Sequence, residues 1–143
     1  MATSTLLQKL DPVADGFGAS TSNRRQIETF ISNGVIGAGD IVALDLSKTG
    51  ADKALYVIEA TAAAKALIVG VALNATTAAD QPVQVVVAGY VENANVATGV
   101  TAGAQLFGSA TAGRLGLASG GPVATALTNE AANLAAVFVH KKF

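Results

Sequence analysis

The chain has 143 residues, of which 51% are hydrophobic and only 13% are charged. This length fits one domain, or one domain with an arm. The absence of cysteine excludes disulfides, thiolate metal sites and cysteine nucleophiles. Nine basic and ten acidic residues give a net charge of −1. Nucleic-acid binding is therefore not expected, because it normally needs a basic excess that neutralises phosphates.

Residues 1–22 are predicted to form an N-terminal arm ahead of a domain at 23–143. Leu6, Leu7 and Leu10 are spaced for one helical turn, which ends at Asp11-Pro12 because proline cannot continue a helix. Glycines and small polar residues follow, as in exposed chain. The arm has neither the basic start nor the long apolar core of a signal peptide.

The longest uncharged run, 93–113, is long enough to span a bilayer, but its asparagines, threonines and four glycines would not partition into lipid. We therefore expect a soluble protein without a membrane partner.

Short apolar runs separated by glycine, asparagine and proline turns dominate the rest of the chain. Asn33-Gly34 and Asn93-Ala94-Asn95 are predicted turns, and 60–66 is predicted to be a helical turn or a loop. Gly70 interrupts a run typical of a strand buried on both sides, which indicates a bulge or a close backbone approach. The predicted strands cover 26–31, 41–46, 55–59, 67–73, 83–91, 105–107, 113–117 and 135–140.

About eight short strands without a long amphipathic helix predict an all-β fold, a small barrel or sandwich. The core is predicted to include Val71, Val85, Val87 and Val139. Two turns are alike, since Ala38-Gly39 and Ala102-Gly103 each precede a new strand.

No residue pattern indicates catalysis or a cofactor. The only histidine, His140, lies beside Lys141-Lys142 and is expected to be a packed or solvated tail residue. Asp40 is expected to be a turn residue that binds its own backbone, and the scattered acids lack the spacing of a calcium loop. Arg24-Arg25 lacks the interleaved aromatic residues of a nucleic-acid site, so we expect a non-enzymatic protein with no metal.

Charge is unevenly distributed along the chain. Between residues 66 and 140 only Asp80, Glu92, Arg114 and Glu130 are charged. A domain surface is normally rich in charge, so this half of the chain either faces other protein or carries a neutral, hydrated surface.

The order of these segments resembles the small capsid cement, or head decoration, proteins of tailed bacteriophages. Members of that family carry these segments in the same order: a strand with Gly-Asp and Ala-Leu-Asp, a Gly-Val-Ala-Leu strand, a valine-rich strand, and Ala-Gly turns, one of which continues into arginine. The corresponding segments here are 24–30, 38–45, 68–73, 85–91, 101–103 and 112–115.

This resemblance implies a trimer-forming β-domain on the outer surface of an icosahedral virion, made in the host cytoplasm. It would bind at three-fold positions and clamp neighbouring major capsid subunits. Contacts with the capsid or a neighbouring subunit are expected from one set of residues: Leu6, Leu7, Leu10, Arg24 and Arg25.

Two alternatives remain open. One is another structural component of a virion or surface layer, such as a fibre base or a shell subunit. The other is a carbohydrate-binding module that uses Tyr56 and Tyr90 as stacking platforms, although core packing is the more common role for tyrosines in apolar strands such as these.

Overall fold

A computed structural model describes residues 25–61, 67–117 and 121–140. The all-β prediction is confirmed, since these residues form nine strands and one short 3-10 helix, η1 (Gly50–Ala54). The strands are β1 (Gln26–Ser32), β2 (Ile41–Leu44), β3 (Tyr56–Glu59), β4 (Ile68–Ala72), β5 (Pro82–Asn95), β6 (Gln105–Gly108), β7 (Leu115–Gly116), β8 (Ala124–Ala126) and β9 (Leu134–Val139).

The first five strands form a closed barrel in the order β1-β3-β2-β4-β5, because β1 also pairs with β5. All these pairings are antiparallel except β1–β3. Successive side chains of a strand point to opposite faces of the sheet, so the alternating apolar residues of these strands share one face and pack together. This cluster contains Phe30, Ile36, Val42, Val57, Val69, Ala72, Val83, Val85 and Val87.

A second sheet extends from the same long strand. The C-terminal half of β5 pairs with β9, and the sheet continues through β8 and β6 to β7. A second core cluster joins side chains of this sheet, such as Leu106, Leu115 and Val137, to Ile41, Val71 and Val86 from the barrel strands. The two sheets therefore share strand β5, and side chains from both sheets pack in one core cluster. All four predicted core valines are buried.

The prediction of a turn at 93–95 is wrong, because β5 continues through Asn95. Asn95 pairs with Leu134 of β9, and its backbone N–H donates to the carbonyl of Gly39 at 2.9 Å. A register shift between Val91 and Ala94 bends the strand at this point. Partners distant in the sequence thus override the turn preference of asparagine.

The two similar turns have the same conformation. Gly39 and Gly103 have φ of 89° and 86° at the third position of their turns, where a type II turn needs a positive φ. The closing hydrogen bonds run from Asp40 N–H to the Gly37 carbonyl at 3.2 Å and from Ala104 N–H to the Thr101 carbonyl at 3.1 Å. One turn leads into β2 and the other into β6.

Candidate interaction surface

The outward side of the second sheet carries apolar side chains that no other described element covers. Tyr90 on β5 pairs with Phe138 on β9, and Phe138 pairs with Thr125 on β8. Phe138 is 41% exposed, and Leu127, directly after β8, is 46% exposed. We name Tyr90, Thr125, Leu127 and Phe138 the outer face.

Alternation along β9 explains why Phe138 points outward. Val137 and Val139 are buried in the core, so the residue between them faces the opposite side of the sheet. The sequence predicts this strand but not its exposed aromatic residue. The period-two pattern around Phe138 was the signal that could have identified it.

His140 lies at the end of the outer face. It is half-buried, and its Nε2 is 2.8 Å from the Thr125 hydroxyl oxygen. This contact agrees with the prediction of a packed tail residue.

A trough runs beside the outer face, where β5 passes from the barrel to the second sheet. Its first depression, of about 490 Å³, lies between Arg25, Leu73, Val91 and Leu134. A second depression, of about 350 Å³, shares Leu134 with the first and extends to Ala136. Glu92 and Asn93 also border both depressions, so we treat the two as one trough.

Arg25 is the one predicted contact residue that falls within the described residues. It is half-buried in the wall of the trough, and its Nε is buried without a hydrogen-bond partner among the residues described. The predicted arm lies outside the described residues, and so do Leu6, Leu7, Leu10 and Arg24.

A pair of carboxyl groups lies near one end of the trough. Asp40, only 9% exposed, accepts hydrogen bonds from Gly37 N–H and from the Asn95 amide, each at 2.6 Å. The bond from Gly37 confirms that Asp40 binds its own turn. Burial, the negative charge of Asp40 and a hydrogen bond with Asp40 raise the pKa of Glu59 above its ordinary value.

The opposite end of the barrel holds a second buried acid. Asp45 is 3% exposed and accepts hydrogen bonds from Ser47 N–H, at 2.9 Å, and from the Asn33 amide. Burial raises the pKa of Asp45, but hydrogen bonds from Ser47 and Asn33 and the charge of Lys48 outweigh it and lower the pKa below 3.8. This site joins the loop after β1 to the loop after β2.

The two tyrosines of the carbohydrate alternative have different surroundings. The hydroxyl of Tyr56 donates to Asp80 at 2.9 Å, and this bond is the main cause that raises the pKa of Tyr56. The Lys48 ammonium lies 4.1 Å from the centre of the Tyr56 ring, a cation–π contact. Tyr90 is half-buried in the outer face.

In the described ranges, no three histidine, aspartate or glutamate side chains are close enough to hold a metal ion together. Across those same ranges, no helix has the length and apolar character needed to cross a membrane. No protein-family model matches the chain, and no curated protein sequence matches it.

Proposed function

We propose that this protein is a non-enzymatic structural component of a bacteriophage virion that binds the outer surface of the icosahedral capsid. Three copies acting together would sit at three-fold positions and clamp neighbouring major capsid subunits. The proposal rests on the segment order that resembles capsid cement proteins. The observation that supports it most is the uncovered apolar outer face.

The outer face has the composition of a protein-binding surface. Exposed aromatic and aliphatic side chains that lie together are characteristic of contacts with other proteins. Three members of the face lie on β5, β8 and β9, and the fourth, Leu127, directly follows β8. All four belong to the part of the chain that has only four charges among residues 66–140. Low charge supports burial between subunits rather than exposure to solvent.

Many weak contacts would suffice for this function. Three linked copies raise the effective concentration of each at the shell, so a single outer face needs only modest affinity. Leu6, Leu7 and Leu10 remain proposed contacts with the capsid or a neighbouring subunit.

Co-sedimentation of the full-length protein with empty shells of its cognate capsid protein tests the proposal. Phe138→Glu should weaken shell binding by about tenfold or more, since tenfold corresponds to only about 1.4 kcal/mol. Leu55→Glu is the matched control, because Leu55 is 48% exposed and follows η1 on the barrel. Equal binding by both variants would contradict a role for the outer face.

A further inference from the structure

The second sheet is itself closed into a barrel. Val96, directly after β5, forms a parallel bridge with Leu115 of β7, and the Ala97 N–H donates to the Leu115 carbonyl at 2.7 Å. This contact joins β7, the last strand of the sheet, to β5, the strand from which the sheet extends. The described residues therefore form two five-stranded barrels that share β5. The first barrel is β1–β5, and the second barrel is β5–β9.

The two barrels have the same topology. In each, the first strand runs parallel to the third and antiparallel to the fifth, and the second strand lies between the third and the fourth. The fourth strand pairs with the fifth in both barrels. The registers also agree, and the corresponding pairs are Ser32–Val57 and Val96–Leu115, Ile41–Val71 and Gln105–Thr125, and Val71–Val86 and Thr125–Phe138.

Hydrogen bonds of the turns recur at corresponding positions. The Gly39 N–H donates to the Ala72 carbonyl, and the Gly103 N–H donates to the Ala126 carbonyl, both at 2.8 Å. These two glycines belong to the similar turns that precede β2 and β6. The shared topology, register and turns identify two copies of one barrel module in this chain.

The outer walls of the two barrels carry corresponding side chains that differ in exposure. We name Ile41, Ala43, Val71 and Val86 the first wall, and their counterparts Gln105, Phe107, Thr125 and Phe138 the second wall. All of the first wall is buried in the core cluster that includes the interior of the second barrel. On the second wall, which shares Thr125 and Phe138 with the outer face, Gln105 and Phe138 are exposed. One surface of the module is therefore covered in the first barrel and left uncovered by the described residues in the second.

A small turn of the second barrel lies on the first wall. The Ile41 N–H donates to the Gly113 carbonyl, and the Gly113 N–H donates to the Ala60 carbonyl, both at 2.9 Å. Gly113 is buried there, in the connection 109–114 between β6 and β7. Residues 109–113 are only serine, alanine, threonine and glycine, so they bring no charge and little bulk to the contact. The first wall thus identifies the kind of element that this surface of the module accepts.

A second copy of this chain does not offer the same element to the second wall. The connection between β2 and β3 spans 45–55, whereas the corresponding connection between β6 and β7 spans only 109–114. The longer connection contains η1, with exposed Asp52 and Lys53. Burial of these charges against Phe138 without partners would be unfavourable. The occupant that fits is therefore a different protein with a shorter, neutral turn.

We propose that the second wall binds a short, uncharged turn between two antiparallel strands of the capsid subunit, as the first wall binds residues 109–114. The identity of the partner rests on the proposed function, whereas the kind of contact follows from the repeated module. None of the four residues of the second wall is charged, so a neutral turn leaves no charge unpaired. Phe107 and Phe138 supply the aromatic area that is typical of protein contacts.

Photo-cross-linking on empty cognate shells tests this inference. Because the chain has no cysteine, Gln105→Cys carries a single benzophenone label at an exposed position of the second wall. Gln84→Cys is the matched control, at an exposed glutamine in the first-barrel half of β5. Labelled Gln105→Cys should cross-link to a turn between two antiparallel strands of the capsid subunit, and labelled Gln84→Cys should not.

A charged substitution measures the same contact by affinity. Gln105→Glu should weaken shell binding by about tenfold, because a carboxylate without a partner would be buried beneath the turn. Gln84→Glu should bind as the wild type does. Both side chains are exposed, so both variants should keep the melting temperature of the wild type.

The outcomes separate this inference from the capsid proposal. Wild-type protein that does not bind the shells would overturn both. If the wild type binds, cross-links from Gln105→Cys to a second copy, to a helix or an extended tail of the capsid subunit, or to nothing would overturn the turn contact alone. Equal shell binding by Gln105→Glu and Gln84→Glu would also overturn it and would leave the capsid proposal in place.

Discussion

The carboxyl groups of Asp40 and Glu59 lie side by side against Gly113, at the junction of the barrel and the second sheet. Val42 pairs with Glu59, which places the end of β3 beside the residues that precede β2. Asn95 of β5 donates to the same Asp40. The burial of Glu59 and the negative charge of the neighbouring Asp40 raise the pKa of Glu59 above its ordinary value.

The pair should make stability decrease as pH rises. Because the pKa of Glu59 is higher in the folded protein than its ordinary 4.5, its stabilisation is complete below that pH and is lost as pH rises through the folded pKa. Glu59→Gln keeps a donor for Asp40 and removes the second charge. We expect it to increase the free energy of unfolding by about 1 kcal/mol at neutral pH.

Urea unfolding from acid to neutral pH measures this effect. The advantage of Glu59→Gln over the wild type should shrink as pH falls, because the wild type regains its proton. Glu92→Gln, at an exposed glutamate, should show no such trend. A constant difference at every pH would contradict the raised pKa of Glu59.

Gly113 lies against the carboxyl pair. Its substitution should therefore lower the free energy of unfolding more than substitution of a similar turn glycine. A Cβ at Gly113 would lie 2.6 Å from Glu59 Oε1 and 2.9 Å from Asp40 Cγ, whereas a Cβ at Gly103 would meet nothing within 4 Å. Both glycines have positive φ, 73° and 86°. Gly103→Ala should therefore cost only the backbone strain, about 1–2 kcal/mol.

Gly113→Ala should cost at least about 1 kcal/mol more than Gly103→Ala, because the added methyl displaces both carboxyl groups. Chemical denaturation of the two variants under one condition provides the comparison. Equal losses would mean that the carboxyl groups move away freely.

Gly70 should tolerate no side chain. Its Cβ would lie 2.0 Å from the Val86 carbonyl oxygen, so the predicted close backbone approach is confirmed. We expect Gly70→Ala to destabilise the fold by more than about 3 kcal/mol, as overpacking against rigid backbone does. Gly121→Ala is the control, because a Cβ at Gly121 meets nothing within 4 Å, and it should change the melting temperature little. If Gly70→Ala and Gly121→Ala had similar melting temperatures, the close packing of β4 on β5 would be contradicted.

Asp45 should give the opposite pH dependence to Glu59. Its folded pKa lies below 3.8, so its stabilisation is present above that pH and is lost as pH falls through the folded value. Asp45→Asn should lower the free energy of unfolding by about 1–3 kcal/mol at neutral pH. The difference between the variant and the wild type should shrink in acid. Asp52→Asn, on exposed η1, is the control for acid unfolding curves, and a loss of the same size there would refute the assignment.

The oligomeric state is a separate prediction of the capsid proposal. Light scattering should give a mass near three times 14.2 kDa. A much larger assembly formed without a second protein would favour the alternative of a shell or array subunit.

Local patterns in the sequence predict most strands, because each strand needs only alternating apolar residues between turn residues. They fail at Asn93-Ala94-Asn95, where pairing with β9 and Gly39 extends β5. They also miss β8, three residues long, whose pairing rather than composition makes it a strand. Short-range preference cannot anticipate partners that lie far along the chain.

The polar sites show the same limit. The turn role of Asp40 follows from its neighbours, but its pairing with Glu59 depends on β2–β3 register and on a turn at Gly113. The outer face likewise gathers residues from three strands, β5, β8 and β9. Of the predicted contact residues, only Arg25 has a described position, and the trough beside it was not predicted.

The most direct test of the proposed function is the thermal stability of empty cognate shells with and without this protein. Because a protein that binds only the assembled shell stabilises it by mass action, saturating amounts should raise the temperature at which the shells come apart, and Phe138→Glu should raise it less. An unchanged temperature, with all of the protein remaining unbound, would contradict the proposal.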